Sequence, residues 1–226
     1  LHGVVDEAID LRQDRAAYKP SKPYDISRID FDRLKREFER SSTRRTTVQC
    51  LKEAVEQRLR RLLDRNPLRA DFQRHYERIV ADYNREKDRV TIEQTFEELL
   101  RFVGDLDREE ERAVRQGLDE ESLAIFDLLQ KPDLGARDID RIKMVSTELL
   151  RTLKEGKLRV EQWREKEATR AAVKGEIHDF LWSDVTGLPP DSYTDEDVQV
   201  RVDDVFRHVH RAYPTVPSPF YMSDAA

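Results

Sequence analysis

Between Val48 and Leu62 the apolar residues fall at Val48, Leu51, Val55, Leu59 and Leu62, steps of three and four that gather on one face of an α-helix and scatter on a strand. The pattern recurs along the chain. Leu34 and Phe38 follow Phe31; Phe72, Tyr76, Ile79, Val80 and Tyr83 mark another stripe, and Ile92, Phe96, Leu99, Leu100, Val103 and Leu106 a longer one. Leu123, Phe126 and Leu129, then Ile139, Ile142, Val145, Leu149 and Leu153, then Val173, Ile177 and Leu181 continue it, and Val198, Val202, Val205, Phe206, Val209 and Tyr213 end it. Such stripes are stable only when they meet each other. The expected fold is therefore all-α, a bundle of roughly seven to eight helices with at most one short extended segment, for which "KLRVEQW" (Lys157 to Trp163) is the candidate. Only 7 glycines and 39% charged residues suit this helical reading with ion-paired surfaces.

Local signals set the expected boundaries. Asp30 can cap the helix "FDRLKREFER", and "NPLR" (Asn66 to Arg69) makes a turn. The stripe from Ile92 predicts a helix running to about Gln116, stopped by a left-handed Gly117. Asp119 then caps a new helix, with Glu120 and Glu121 at the positive end of its dipole. Pro132 closes that helix, and a later one is expected over about Arg164 to Trp182. Pro20 and Pro23 make residues 1–28 a linker or the end of a preceding domain, and the start without methionine suggests a piece of something longer. Residues 29–213 form the helical domain, with sub-bundles at 29–85 and 90–213. Three prolines make 214–226 a flexible tail.

The formal charge of -6 conceals a gradient. From Lys35 to Arg74 there are 12 Lys and Arg against 6 Asp and Glu, so the rest of the chain is strongly acidic. Either the molecule is oriented between nucleic acid and a protein partner, or this is a solvated helical surface. Cys50 is the single cysteine, and neither a signal sequence nor an 18-residue apolar run is present; a cytoplasmic protein without a membrane partner is the expectation.

The search for chemistry is mostly negative. No glycine-rich turn followed by Lys and Ser or Thr supplies a phosphate-binding loop. "VVDEAID" (Val4 to Asp10) looks like the magnesium-holding acidic box of a motor, but without that loop it reads as chance. His208 and His210 point to different faces of a helix and cannot chelate one metal; Cys50 reads as a small buried hydrophobe. The carboxylates Glu109, Glu110, Glu111, Glu120 and Glu121 alternate with Arg108, Arg112 and Arg115, so solvated ion pairs at a helix joint are expected in place of an acid–base pair. No catalytic, cofactor-binding or metal residue is assigned. Arg58, Arg61 and Arg65 lie at helical spacing away from Leu59 and Leu62, a stripe that could track DNA phosphates.

From about Ile29 to Pro214 the blocks "IDFDRLKREFERS", "LKEAVEQRLRRLLDRNPLRADF", "LLRFVGDLDREEERAVRQGLDEESLAIFDLLQKPDL", "ELLRTLKEGKL", "WREKEATRAAVKGEI" and "VDDVFRHVHRAYP" follow one another in an order and spacing that is specific as a set. Together they resemble the C-terminal helical region of the R subunit of type I restriction enzymes, particularly the type IB branch. That resemblance implies a non-catalytic assembly module that docks an ATP-dependent DNA translocase and endonuclease onto the methyltransferase (M) subunit. It places the nuclease and motor, with their ATP and magnesium, in upstream modules, and so no cofactor in this segment. Trp163, Arg164 and Arg170 are the candidate interface anchors, since large aromatics and arginines often dominate interfaces. The competing expectation is that Trp163 fills the core and Arg170 pairs locally. A helical domain guiding duplex DNA through Arg58, Arg61 and Arg65 is the alternative function.

Overall fold

The computed structural model describes residues 31–85 and 89–222. The linker expected at 1–28, the "VVDEAID" stretch and the Asp30 cap lie outside them. Within the described residues there are nine α-helices and no strand: α1 (Phe31–Arg40), α2 (Arg44–Arg65), α3 (Ala70–Arg85), α4 (Arg89–Glu110), α5 (Arg112–Gln116), α6 (Glu120–Leu129), α7 (Ala136–Glu155), α8 (Glu167–Trp182) and α9 (Asp195–Ala212). Short 3-10 turns stand at Pro67–Arg69 and Lys157–Arg159.

The chain divides into two compact units, and they are not the contiguous sub-bundles expected at 29–85 and 90–213. One takes the residues through Arg58 together with Ala81–Val103; the other takes Leu59–Val80 and Gly104 onward. The division falls inside α2, α3 and α4, because unbroken helical periodicity carries each of them from one unit into the other.

In the first unit Phe38 stacks on Phe96 with ring centroids 3.8 Å apart, and Arg44 lies over the Phe38 ring while pairing with Glu93. Val48, Leu51, Val55, Ile92 and Leu99 complete its buried face. Cys50 on α2 is only half-buried.

The second unit has a continuous core in which α6 packs on α7, α7 on α8, and α9 on α8 and α6. Leu123, Ile142, Leu149, Val173, Ile177, Val202 and Val205 are fully enclosed in it. Its helix ends follow the sequence signals closely. Gly117 adopts φ +70, and the amides of Gly117 and Leu118 bond the Val114 and Ala113 carbonyls, each at 3.0 Å, which stops α5. Asp119 accepts the Ser122 amide at 2.6 Å and starts α6. The helix expected to run unbroken to Gln116 is interrupted at Glu111, but the Glu111 and Arg115 amides still bond the Asp107 and Glu111 carbonyls, so the path does not reverse.

Two expectations are corrected here. "KLRVEQW" is a 3-10 turn followed by tight turns, not an extended strand. With no strand to pair with among the described residues, its backbone bonds locally, as in Trp163 N–H to Val160 O at 3.2 Å. The segment expected to be a loose tail is held through residue 221. Ser218 is buried and donates to the Ala212 carbonyl, Arg65 Nε donates to Phe220 O at 3.1 Å, and the Tyr221 hydroxyl bonds the Arg65 carbonyl. Proline forbids regular helix, but it does not forbid packing.

Candidate partner interface

The geometry of the carboxylate-rich joint between α4 and α6 is structural. Arg69, delivered by the Pro67–Arg69 turn, has a side chain only 2% exposed. Its Nε meets Glu109 at 2.8 Å and its Nη1 meets Glu120 at 3.0 Å. Glu109 also accepts from Arg112 Nε at 2.9 Å, and Arg112 makes a two-pronged contact with Asp127, at 2.7 Å for the Nη1 arm. Asn66 closes the network by donating to Asp127 at 2.6 Å while its Oδ1 accepts the Leu68 amide. The Asp127 hydrogen bond raises Arg112 above its already high pKa, so it stays charged. These pairs are mostly withdrawn from water, which corrects the expectation of solvated pairs for Glu109, Arg112 and Glu120, while Arg108, Glu110, Glu111 and Arg115 are exposed. The roles of Asn66, Arg69 and Asp127 were not visible in sequence, because their partners across the network lie 15 to 61 residues away.

The candidate DNA stripe is not presented as one face. Arg58 is buried, Arg61 is exposed, and Arg65 is half-buried with its Nε on the Phe220 carbonyl.

The proposed interface anchors separate in the same way. Trp163 is 1% exposed and its indole N–H bonds the Tyr213 carbonyl at 2.9 Å, so it fills the core and ties the 160–165 turn to the end of α9. It is no surface anchor; its size and one polar atom are both used internally. Arg164, next in sequence, donates to the His210 carbonyl at 3.2 Å. Arg170 donates to the carbonyls of Arg164 and Glu165, at 2.8 and 3.0 Å. Both arginines are half-buried, and neither contacts a carboxylate among the described residues.

Arg164 lines a surface cleft of about 800 Å³ between the 158–165 turn and the segment after α9. Arg159, itself tethered to the Lys154 carbonyl at 3.1 Å, lines it too. Val160, Pro214, Val216 and Pro217 give it apolar walls, and Glu161 and Glu165 stand along the same turn. Gln162, with φ 55, turns the chain there in a left-handed conformation that non-glycine residues rarely adopt. His210 sits at the edge, its ring against Trp163 at 5.7 Å. Burial, with the guanidiniums of Arg164 and Arg170, lowers its pKa and keeps it neutral near pH 7. Sequence reasoning found Arg164 but missed this cleft, since nothing in either segment signals that residues near 160 meet residues near 215.

A second cleft of about 500 Å³ is touched by Asp71, His75, Asp105, Arg108 and Arg115. Arg108 pairs there with Asp105, and Arg115 donates to the Arg108 carbonyl. Among the described residues no cluster of His, Cys, Asp or Glu is placed to hold a metal, and no helix is long and apolar enough to cross a membrane.

Residues 5–213 match the family described as type I restriction enzyme HindI endonuclease subunit-like, C-terminal, and the chain belongs to that family. No curated protein and no solved structure matches it.

Proposed function

We propose that this chain is a non-catalytic assembly module that docks the ATP-dependent translocase and endonuclease subunit of a type I restriction enzyme onto its methyltransferase core. What supports the reading is the family match together with the cleft at Arg164, where charged side chains stand without ion-pair partners among the described residues. ATP and magnesium belong, in this reading, to modules outside the segment. The DNA-guiding alternative draws less support, because of Arg58, Arg61 and Arg65 only Arg61 is exposed.

The test is binding of the chain to purified methyltransferase core with and without duplex DNA. Binding that does not require DNA is expected. Binding to duplex alone, weakening steeply with salt while the methyltransferase is ignored, would overturn the docking reading.

A further inference from the structure

Near the helix ends Arg89, Arg112 and Lys154 pair with carboxylates within the chain, and the charged side chains of the turn at 159–165 make no such pair among the described residues. Arg159 and Arg164 are each tethered by one carbonyl, Arg170 by two. Glu161 and Glu165 make no ion pair among the described residues, although all five lie within twelve positions. A carbonyl tether orients a guanidinium without neutralising it, leaving its other N–H groups and its full charge for a second acceptor. Val160 is 44% exposed beside them, and Pro214 and Val216 face the same cleft.

From this we infer that the cleft between residues 158–165 and 210–217 seats a segment of a partner protein that presents a carboxylate to Arg164 and apolar side chains to Val160, Pro214 and Val216. The argument is charge complementarity. The wall carries both signs, and Glu161 and Glu165 would repel a run of phosphates, whereas a single carboxylate flanked by apolar residues avoids them. The apolar walls have no counterpart on a duplex backbone. His210, held neutral at the edge, adds no positive charge that would favour a polyanion. Arg164 is the central contact, being positioned on the His210 carbonyl, while Arg159 is more exposed and serves the rim. The inference rests on the docking reading for the identity of the partner, the methyltransferase subunit.

The experiment measures binding of the wild-type chain and of Arg164→Glu and Arg164→Lys to purified methyltransferase subunit by calorimetry, and to a labelled 30-base-pair duplex of arbitrary sequence. A peptide array tiling the methyltransferase subunit is probed in parallel. Circular dichroism checks that each variant is folded, and Arg61→Glu serves as an exposed charge-reversal control outside the cleft. Arg164→Glu is expected to weaken methyltransferase binding about tenfold or more, with partial retention in Arg164→Lys and none of this loss in Arg61→Glu. Acidic array peptides should bind the wild-type chain, and changing their Asp or Glu to Lys should abolish that binding and restore it to Arg164→Glu. If the wild-type chain binds the methyltransferase and Arg164→Glu binds equally well, the cleft assignment is wrong while the docking reading survives. If the wild-type chain does not bind the methyltransferase at all, both fall. If Arg164→Glu loses affinity for the duplex and not for the subunit, the occupant is nucleic acid and the assignment is overturned.

Discussion

Arg69 and Arg164 belong to the same compact unit, and the chain treats them in opposite ways. Arg69 is enclosed and clamped by Glu109 and Glu120, so its charge is neutralised within the chain and holds three sequence segments together. Arg164 is half-buried and, among the described residues, tethered by a backbone carbonyl and by no carboxylate, so its charge still faces the cleft. A guanidinium offers five donors; what it does depends on whether the fold supplies carboxylates to meet them. Where the carboxylates are internal the residue stabilises the fold, and where they are missing the residue is available to a partner.

The contrast is tested most severely at Arg69. Arg69→Ala leaves Glu120 without its cation and Glu109 with Arg112 as its remaining one, and breaking one side of a largely buried network costs on the order of 3 kcal/mol. Urea unfolding of the variant beside the wild type measures it. A loss below about 1 kcal/mol would mean that water already solvates this network, and the contrast with Arg164 would collapse.

The next largest effect is a dependence on pH. His208 on α9 is 2% exposed, with Nε2 3.3 Å from the Tyr221 hydroxyl. Burial, assisted by the nearby Arg211 guanidinium, lowers it from 6.5 to about 4. The sign follows from proton binding: between those values the unfolded chain takes up a proton that the folded chain refuses. Stability from this group is therefore complete above about pH 6.5 and declines as the pH falls towards 4, on the order of 3 kcal/mol in all. His208→Gln should flatten that part of a stability-versus-pH curve, and an unchanged slope would assign the acid sensitivity to other groups.

How far the sequence foretold all this differs between the two regions. The helices, the Gly117 stop and the Asp119 cap were legible, because periodicity and capping are local and the residues responsible lie within four positions of each other. The division of α2, α3 and α4 between two units was not, since their stripes run on without a break. Nor was the Arg69 network legible, because helical reach pairs Arg112 with Glu109 but says nothing of a turn 40 residues away. Trp163 and Arg164 show the limit most sharply. Adjacent in sequence and equally plausible as interface residues, they part company because the Tyr213 carbonyl takes the indole, while among the described residues no carboxylate meets the guanidinium.

That separation makes Arg164 the position of smallest expected effect on stability. Arg164→Ala removes one hydrogen bond to the His210 carbonyl, from a side chain with access to water, and exposes no buried charge. The net worth of such a bond is about 0.5–1 kcal/mol, so the unfolding midpoint should move by no more than that allows. Removing a cation near His210 should also let its pKa rise, which NMR titration of the imidazole can follow. A stability loss approaching that of Arg69→Ala would show that the fold depends on Arg164 no less than on Arg69, and the cleft would lose its claim to a residue held in reserve. A small loss with a rising His210 pKa would instead establish that the guanidinium projects its charge into the cleft without being needed to hold the protein together.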